Sequence, residues 1–254
     1  MLRIAATLEE IAPKLLRLDP AGLGATSAMR LSARANHPRR AMADRIARAF
    51  GTMAFDLYVD VPALTVPRVI PGSPTALLLP PGFDNLTVTE QAVGLARLLA
   101  AVALGVPWVD EVSNEDLTGW VFGALSVGRP GWDGGGLHPS KDGPASTWRP
   151  IIQKAISRKG RNKLDEIAEE ARLDMDPVAW RHAMHLATWR CAYAVTADWT
   201  ATLHHAWRSS RDLSGIPSDR VAATLFGHSV LRDLVLWGLS AETTPLLRAA
   251  GHAG

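Results

Sequence analysis

Residues 55–79 change the texture of the chain. Asp56-Leu57-Tyr58-Val59-Asp60-Val61, Leu64-Thr65-Val66-Pro67-Arg68-Val69-Ile70 and Thr75-Ala76-Leu77-Leu78-Leu79 are β-prone runs cut apart by Pro62, Pro71-Gly72 and Pro74. Runs this short, bounded by residues that end strands, predict two or three strands of a small sheet. Pro67 has no N–H to give a ladder, which sends the middle run to an edge or a bulge. Elsewhere the apolar spacing is helical. The expected fold class is therefore mainly α (α+β): a single helical domain over residues 1–254 with a two- to three-stranded β element near residues 55–80.

Local signals divide the helical part. Thr7-Leu8-Glu9-Glu10 and Thr87-Val88-Thr89-Glu90 both have the capping-box spacing, in which hydroxyl and carboxylate each satisfy a free backbone N–H. Pro13 kinks or restarts the first helix, which is expected to run through Leu18. Asn36-His37-Pro38 opens a second, closed by Gly51. The Thr87 box precedes an apolar helix at residues 92–106. Residues 119–150 are rich in Gly and Pro and read as a long loop or a sub-domain boundary. The helical pattern then resumes through Leu173. Asp176-Pro177 caps a helix carrying Trp180, Met184, Ala187 and Cys191. Thr196-Ala197-Asp198 breaks and recaps it ahead of Trp199, Leu203 and Trp207. Two helices follow near residues 219–226 and 231–239, and Thr244-Pro245 starts a terminal turn.

An apolar fraction of 47% and a charged fraction of 20% are those of a globular chain. Twenty-seven Lys and Arg against 25 Asp and Glu leave +2, so no global field draws the protein onto nucleic acid or an anionic bilayer. The run at 92–106 contains Arg97 and two glycines and falls short of the roughly 20 residues a bilayer requires; no membrane association is expected. Glu9, Glu10 and Lys14 interrupt the N-terminal segment too early for a signal peptide, which points to the cytoplasm. One cysteine, Cys191, excludes an intramolecular disulfide and reads as a small helix-interior residue.

Familiar reactive constellations are missing. Neither Gly-x-Ser-x-Gly nor His-Glu-x-x-His occurs, and Gly134-Gly135-Gly136 is not followed by the Lys-Ser/Thr of a phosphate-binding loop. His182 and His185, spaced i, i+3, with His204 on the next helix, are the candidates for a metal. No acidic or thiol companion has ligand spacing, and Arg181 and Arg190 oppose a cation, so neither a metal nor a cofactor is expected. Asp110-Glu111 and Glu115-Asp116 read as a solvated charge run. Arg158, Lys159, Arg161 and Lys163 precede Asp165, Glu166, Glu169 and Glu170, the pattern of a charged helix with i, i+4 pairs.

The dense basic cluster is elsewhere. Arg30, Arg34, Arg39, Arg40, Arg45 and Arg48 crowd one helix and its lead-in, with Asp44 opposing them. Trp132, set among glycines, is the tryptophan most suited to docking onto a partner. Arg34, Arg39, Arg40, Arg45, Arg48 and Trp132 are the expected partner-binding residues of a non-catalytic protein-interaction or scaffolding module, with a protein partner or self-association. The alternatives are a divergent metal-dependent hydrolase using the clustered histidines, and a nucleic-acid-binding protein using the basic helix at residues 30–48.

Arg190-Cys191-Ala192-Tyr193-Ala194-Val195-Thr196-Ala197-Asp198-Trp199 and Asp233-Leu234-Val235-Leu236-Trp237-Gly238-Leu239-Ser240 resemble the C-terminal region of myxobacterial-type tetratricopeptide-repeat proteins. Ala197 stands where that pattern has Gly. The resemblance implies a domain appended to protein-binding repeats, with no catalytic residues to carry over. The order helix, small strands and apolar helix also resembles a zinc metallopeptidase core. The helix that would bear His-Glu-x-x-His reads Gly94-Leu95-Ala96-Arg97-Leu98-Leu99-Ala100 here, which implies an inactive relative.

Overall fold

The computed structural model describes residues 1–52, 54–132, 144–171, 175–209 and 220–252. Among them are twelve helices: α1 (Leu2–Glu9), α2 (Ala12–Leu16), α3 (Pro38–Ala49), α4 (Val88–Ala103), α5 (Asn114–Gly128), α6 (Pro144–Ala155), α7 (Arg158–Glu170), α8 (Pro177–Thr196), α9 (Trp199–Ser209), α10 (Val221–Gly227), α11 (Ser229–Gly238) and α12 (Thr243–Ala249). Four strands, β1 (Arg30–Leu31), β2 (Phe55–Tyr58), β3 (Arg68–Ile70) and β4 (Thr75–Leu78), form one mixed sheet in the order β1-β2-β4-β3. The fold is mainly α with a small sheet. No described helix is long and apolar enough to cross a membrane.

The sheet has one strand more than its β-prone runs predict. β1 pairs antiparallel with β2, placing Arg30 opposite Tyr58, but two residues carry no period to read. β2 runs parallel to β4, with Phe55 opposite Thr75 and Tyr58 opposite Leu78. The inner strand β4 is buried along its whole length, as a strand covered on both faces should be, whereas β2 alternates. β3 lies at the edge directly after Pro67, as the missing N–H requires. Asp60 adopts φ +57° just beyond β2, so the strand stops before Val61.

Three caps form as the sequence predicts. The Thr87 N–H and hydroxyl both reach Glu90 Oε2, at 2.9 and 3.0 Å, and the Thr87 hydroxyl accepts from the Glu90 N–H at 3.2 Å. Asp176 Oδ1 accepts from Val178 and Ala179 N–H at the start of α8, and Asp198 Oδ1 from Ala201 N–H at the start of α9. The Thr7 box does not form. Helix α1 already begins at Leu2, so Thr7 lies inside it and donates its hydroxyl to Arg3 O at 3.0 Å. Helix α2 restarts around Pro13 and ends at Leu16, short of Leu18.

Much of the stretch 119–150, expected as a long loop or a sub-domain boundary, is helical among the described residues. Helix α5 continues to Gly128 because Trp120, Val121, Ala124 and Leu125 give it a buried face, and α6 begins at Pro144 and accommodates Pro150. Gly134-Gly135-Gly136, Leu173 and Asp219 lie outside the described residues. The expected terminal turn is helix α12, with Pro245 in its first turn, where a missing N–H costs nothing.

The chain forms two compact units. The first comprises Met1–Asp19, Ile70–Ser73 and Leu104–His182, the second Pro20–Val69, Pro74–Ala103 and Ala183–Gly254. In the first, α5 packs on α6 and α7. Trp108 and Trp120 stack at 5.3 Å within it, and the half-buried Trp148 meets Trp120 edge-on while its indole N–H donates to Asp116 at 2.9 Å. Asp116, read as a solvated charge, is thus engaged. The acidic side of α7 pairs with Arg3 and Arg129 on other elements. In the second unit, Leu57, Leu77 and Leu79 join Phe83, Val93, Leu95 and Leu99, with Trp189, Leu231, Leu234 and Trp237 closing the core.

Two backbone positions test this packing. A Cβ on Gly128 would stand 2.4 Å from the Leu164 carbonyl carbon, a main-chain atom that cannot swing aside. Gly128→Ala is expected to cost about 2–3 kcal/mol, read as a fall in the denaturant midpoint. Ala197 ends α8 at φ +52°, the left-handed region where a Cβ is strained. Ala197→Gly is expected to raise stability by about 0.5–1 kcal/mol; a lower midpoint would contradict that backbone conformation.

Candidate functional site

Helix α3 starts at the expected place, with His37 Nδ1 accepting from Arg39 N–H at 3.3 Å and Pro38 in the first turn. Gly51 at φ +69° follows its end. Between these limits the helix sorts its arginines by direction. Arg39 and Arg40 are only 5% and 4% exposed. The Arg39 guanidinium pairs with Asp84 and lies 3.7 Å from Asp60, joining α3 to the segments after β2 and β4. Arg40 grips Asp44 with two N–H groups at 2.9 and 3.2 Å, donates to Phe55 O at 3.4 Å and lies 4.4 Å over the Phe55 ring. Both hold the fold together, so neither side chain is presented to a partner.

Arg34, Arg45 and Arg48 are exposed. Arg48 Nε donates to Asp44 O at 3.3 Å, which anchors the side chain and leaves its terminal amines outward. Arg34 and Arg45 have no ion-pair partner among the described residues. Arg30 is also exposed but pairs with Asp56 at 2.6 Å. Beside α3 runs an open groove of about 480 Å³ whose lining includes Ala33, Arg40, Asp44, Arg45, Arg48 and Phe55. Its lining holds three cations and one anion, with three alanines, Thr52 and one aromatic ring between them.

Trp132 lies in the first unit. It is half-buried and stacked on Phe122 at 5.8 Å with the planes 26° apart, so part of its surface is already used within the chain.

The three candidate metal histidines have different settings. His182 belongs to the first unit, His185 and His204 to the second. Among the described residues no group of three or more His, Cys, Asp or Glu side chains is placed to hold a metal ion. His204 instead puts Nδ1 2.9 Å from Glu90 Oε1, and Arg208 approaches the same oxygen at 3.5 Å. Burial pushes the Glu90 carboxyl up, but the Thr87 N–H and hydroxyl, His204 and Arg208 outweigh it and hold it below its ordinary value. This second role of Glu90 is hidden in the sequence because Thr-x-x-Glu already accounts for the residue as a cap.

His205 is turned inward against α4. A Cβ on Gly94 would come within 2.8 Å of its Cε1, so the glycine makes the space that the ring occupies. Burial first, and the Arg97 charge second, lower the His205 pKa from 6.5 to about 4. The unfolded chain therefore binds this proton more readily than the folded one between those values. The associated stability is complete above pH 6.5 and is lost as pH falls toward 4, a change of about 3 kcal/mol for a shift of this size. Urea unfolding at stepped pH should show this slope, and His205→Gln should flatten it; an unchanged slope would mean the ring is not buried as a neutral base.

Set against known proteins, the chain matches no family model, no curated protein and no solved structure.

Proposed function

We propose that this chain is a non-catalytic protein-interaction module that takes an acidic segment of a partner protein along the outer side of α3. The carrying observation is the division among the arginines. Arg39 and Arg40 fix the helix, while Arg45 and Arg48 are exposed and line a groove with Phe55 in its wall, and Arg34 is exposed on the lead-in to the helix. A pre-positioned guanidinium fork meets carboxylates with little further loss of side-chain freedom. Asp44 in the lining and the neighbouring alanines favour carboxylates interleaved with small apolar residues over the uniform charge of a nucleic-acid backbone.

The test is fluorescence anisotropy with a labelled Glu/Asp-rich peptide carrying Ala and Leu. Binding should weaken with added salt, and the double reversal Arg45→Glu, Arg48→Glu should weaken it about tenfold or more, since each charge contact is worth up to roughly 1 kcal/mol and reversal makes it repulsive. Retained affinity in the reversed variant would sink the reading. An oligonucleotide of equal charge binding more tightly than the peptide would favour the nucleic-acid alternative.

A further inference from the structure

Outside the α3 groove, the histidines differ in which ring nitrogen the fold leaves available. His37 and His228 each use Nδ1 to accept a backbone N–H, at 3.3 and 3.4 Å, which in the neutral ring puts the proton on Nε2. His252 has Nε2 2.8 Å from Ala194 O, so that nitrogen is the donor. His205 is buried. His204 has the reverse arrangement. Its Nδ1 faces the Glu90 carboxylate, which can only accept, so the ring proton is held on Nδ1 and the lone pair is on Nε2. The side chain is 49% exposed. Arg208, one turn along α9 and equally exposed, shares Glu90 Oε1 and so lies on the same helix face.

We infer that His204 is a nucleophilic histidine that accepts a phosphoryl group at Nε2, with Glu90 orienting the ring and Arg208 meeting the phosphoryl oxygens. The carboxylate serves both halves of the step. It fixes the nucleophilic tautomer beforehand and stabilises the imidazolium that forms. The donor is a phosphoramidate or an acyl phosphate. With phosphoramidate, the Nε2 lone pair forms the N–P bond as the P–N bond of the donor breaks. Ammonia leaves with that electron pair, and the Nδ1 proton stays in its hydrogen bond to Glu90. Arg208 supplies a charged planar donor for the transferred oxygens, and its grip on Glu90, at 3.5 Å, is loose enough to share. Glu90 is held by Thr87 at its other oxygen, so the orienting group is itself fixed.

The full chain is incubated with potassium phosphoramidate, and products are read by site-resolved mass spectrometry and by ³¹P NMR, which separates the two ring isomers. His204 should be modified at Nε2 about tenfold faster than His37 or His228, whose Nδ1 lone pairs are already engaged by backbone N–H groups and whose Nε2 carries the proton. Glu90→Gln keeps the capping box, because Gln serves in that motif as well, yet removes the charge; the His204 rate should fall toward that of the other histidines. Arg208→Gln should slow it too, and Arg129→Gln, in the first unit, should leave it unchanged. Modification of His204 at Nδ1, no lead over His37 and His228 in the wild-type chain, or an unchanged rate in Glu90→Gln would each overturn the assignment.

Discussion

The carboxylate of Glu90 does more than close the first turn of a helix. One oxygen takes the Thr87 N–H and hydroxyl and so fixes where α4 begins; the other meets His204 and Arg208 and ties α9 to α4. Helix α4 gives the second unit Val93, Leu95, Ala96, Leu98 and Leu99, and its register decides which of these face inward. Displacing the start of the helix by one residue would rotate that set by about 100° and carry it off the core. A polar contact at the surface of the unit therefore sets the geometry of an apolar interior. The arrangement suits a carboxylate with four donors around it, since its charge is compensated without full removal from water.

The arginines of α3 divide along similar lines. Sequence density alone makes six basic residues look like one surface, yet two are structural. Arg39 and Arg40 are drawn inward because Asp84, Asp60, Asp44 and Phe55 come from other turns and segments to receive them. Guanidinium groups held this way fasten α3 to the segments after β2 and β4 and to Phe55 of β2. The outward three then have a stable platform. Binding by such a surface depends on a few charges in the right places rather than on net charge, consistent with a chain only two charges from neutrality.

How much was legible depended on whether a signal was local. The caps at Thr87, Asp176 and Asp198, the break at Ala197 and the edge position of β3 after Pro67 are decided by neighbouring residues, and the structure agrees with each. Strand β1 was illegible because its partner lies on β2, and the extension of α5 and α6 into a Gly/Pro-rich stretch was hidden because their apolar faces outweigh the local breakers. Thr7 misled for a related reason: the spacing was present, but the helix had already started. At the candidate sites, the type of each residue was visible and its direction was not. Nothing near Arg39 in sequence announces Asp84, and nothing near His204 announces Glu90, because both carboxylates arrive from elements folded alongside.

The contact between Gly94 and His205 bears on how this chain can diverge. The imidazole occupies the volume that any side chain on that turn of α4 would claim, so the two positions constitute one steric unit written in two distant parts of the sequence. A larger residue on α4 requires the ring on α9 to shrink and the Phe83 ring, 3.2 Å from the same Cβ position, to give way a little. Among descendants of this chain the two sites should covary, and constancy at Gly94 will record the outline of a neighbour rather than a chemical duty.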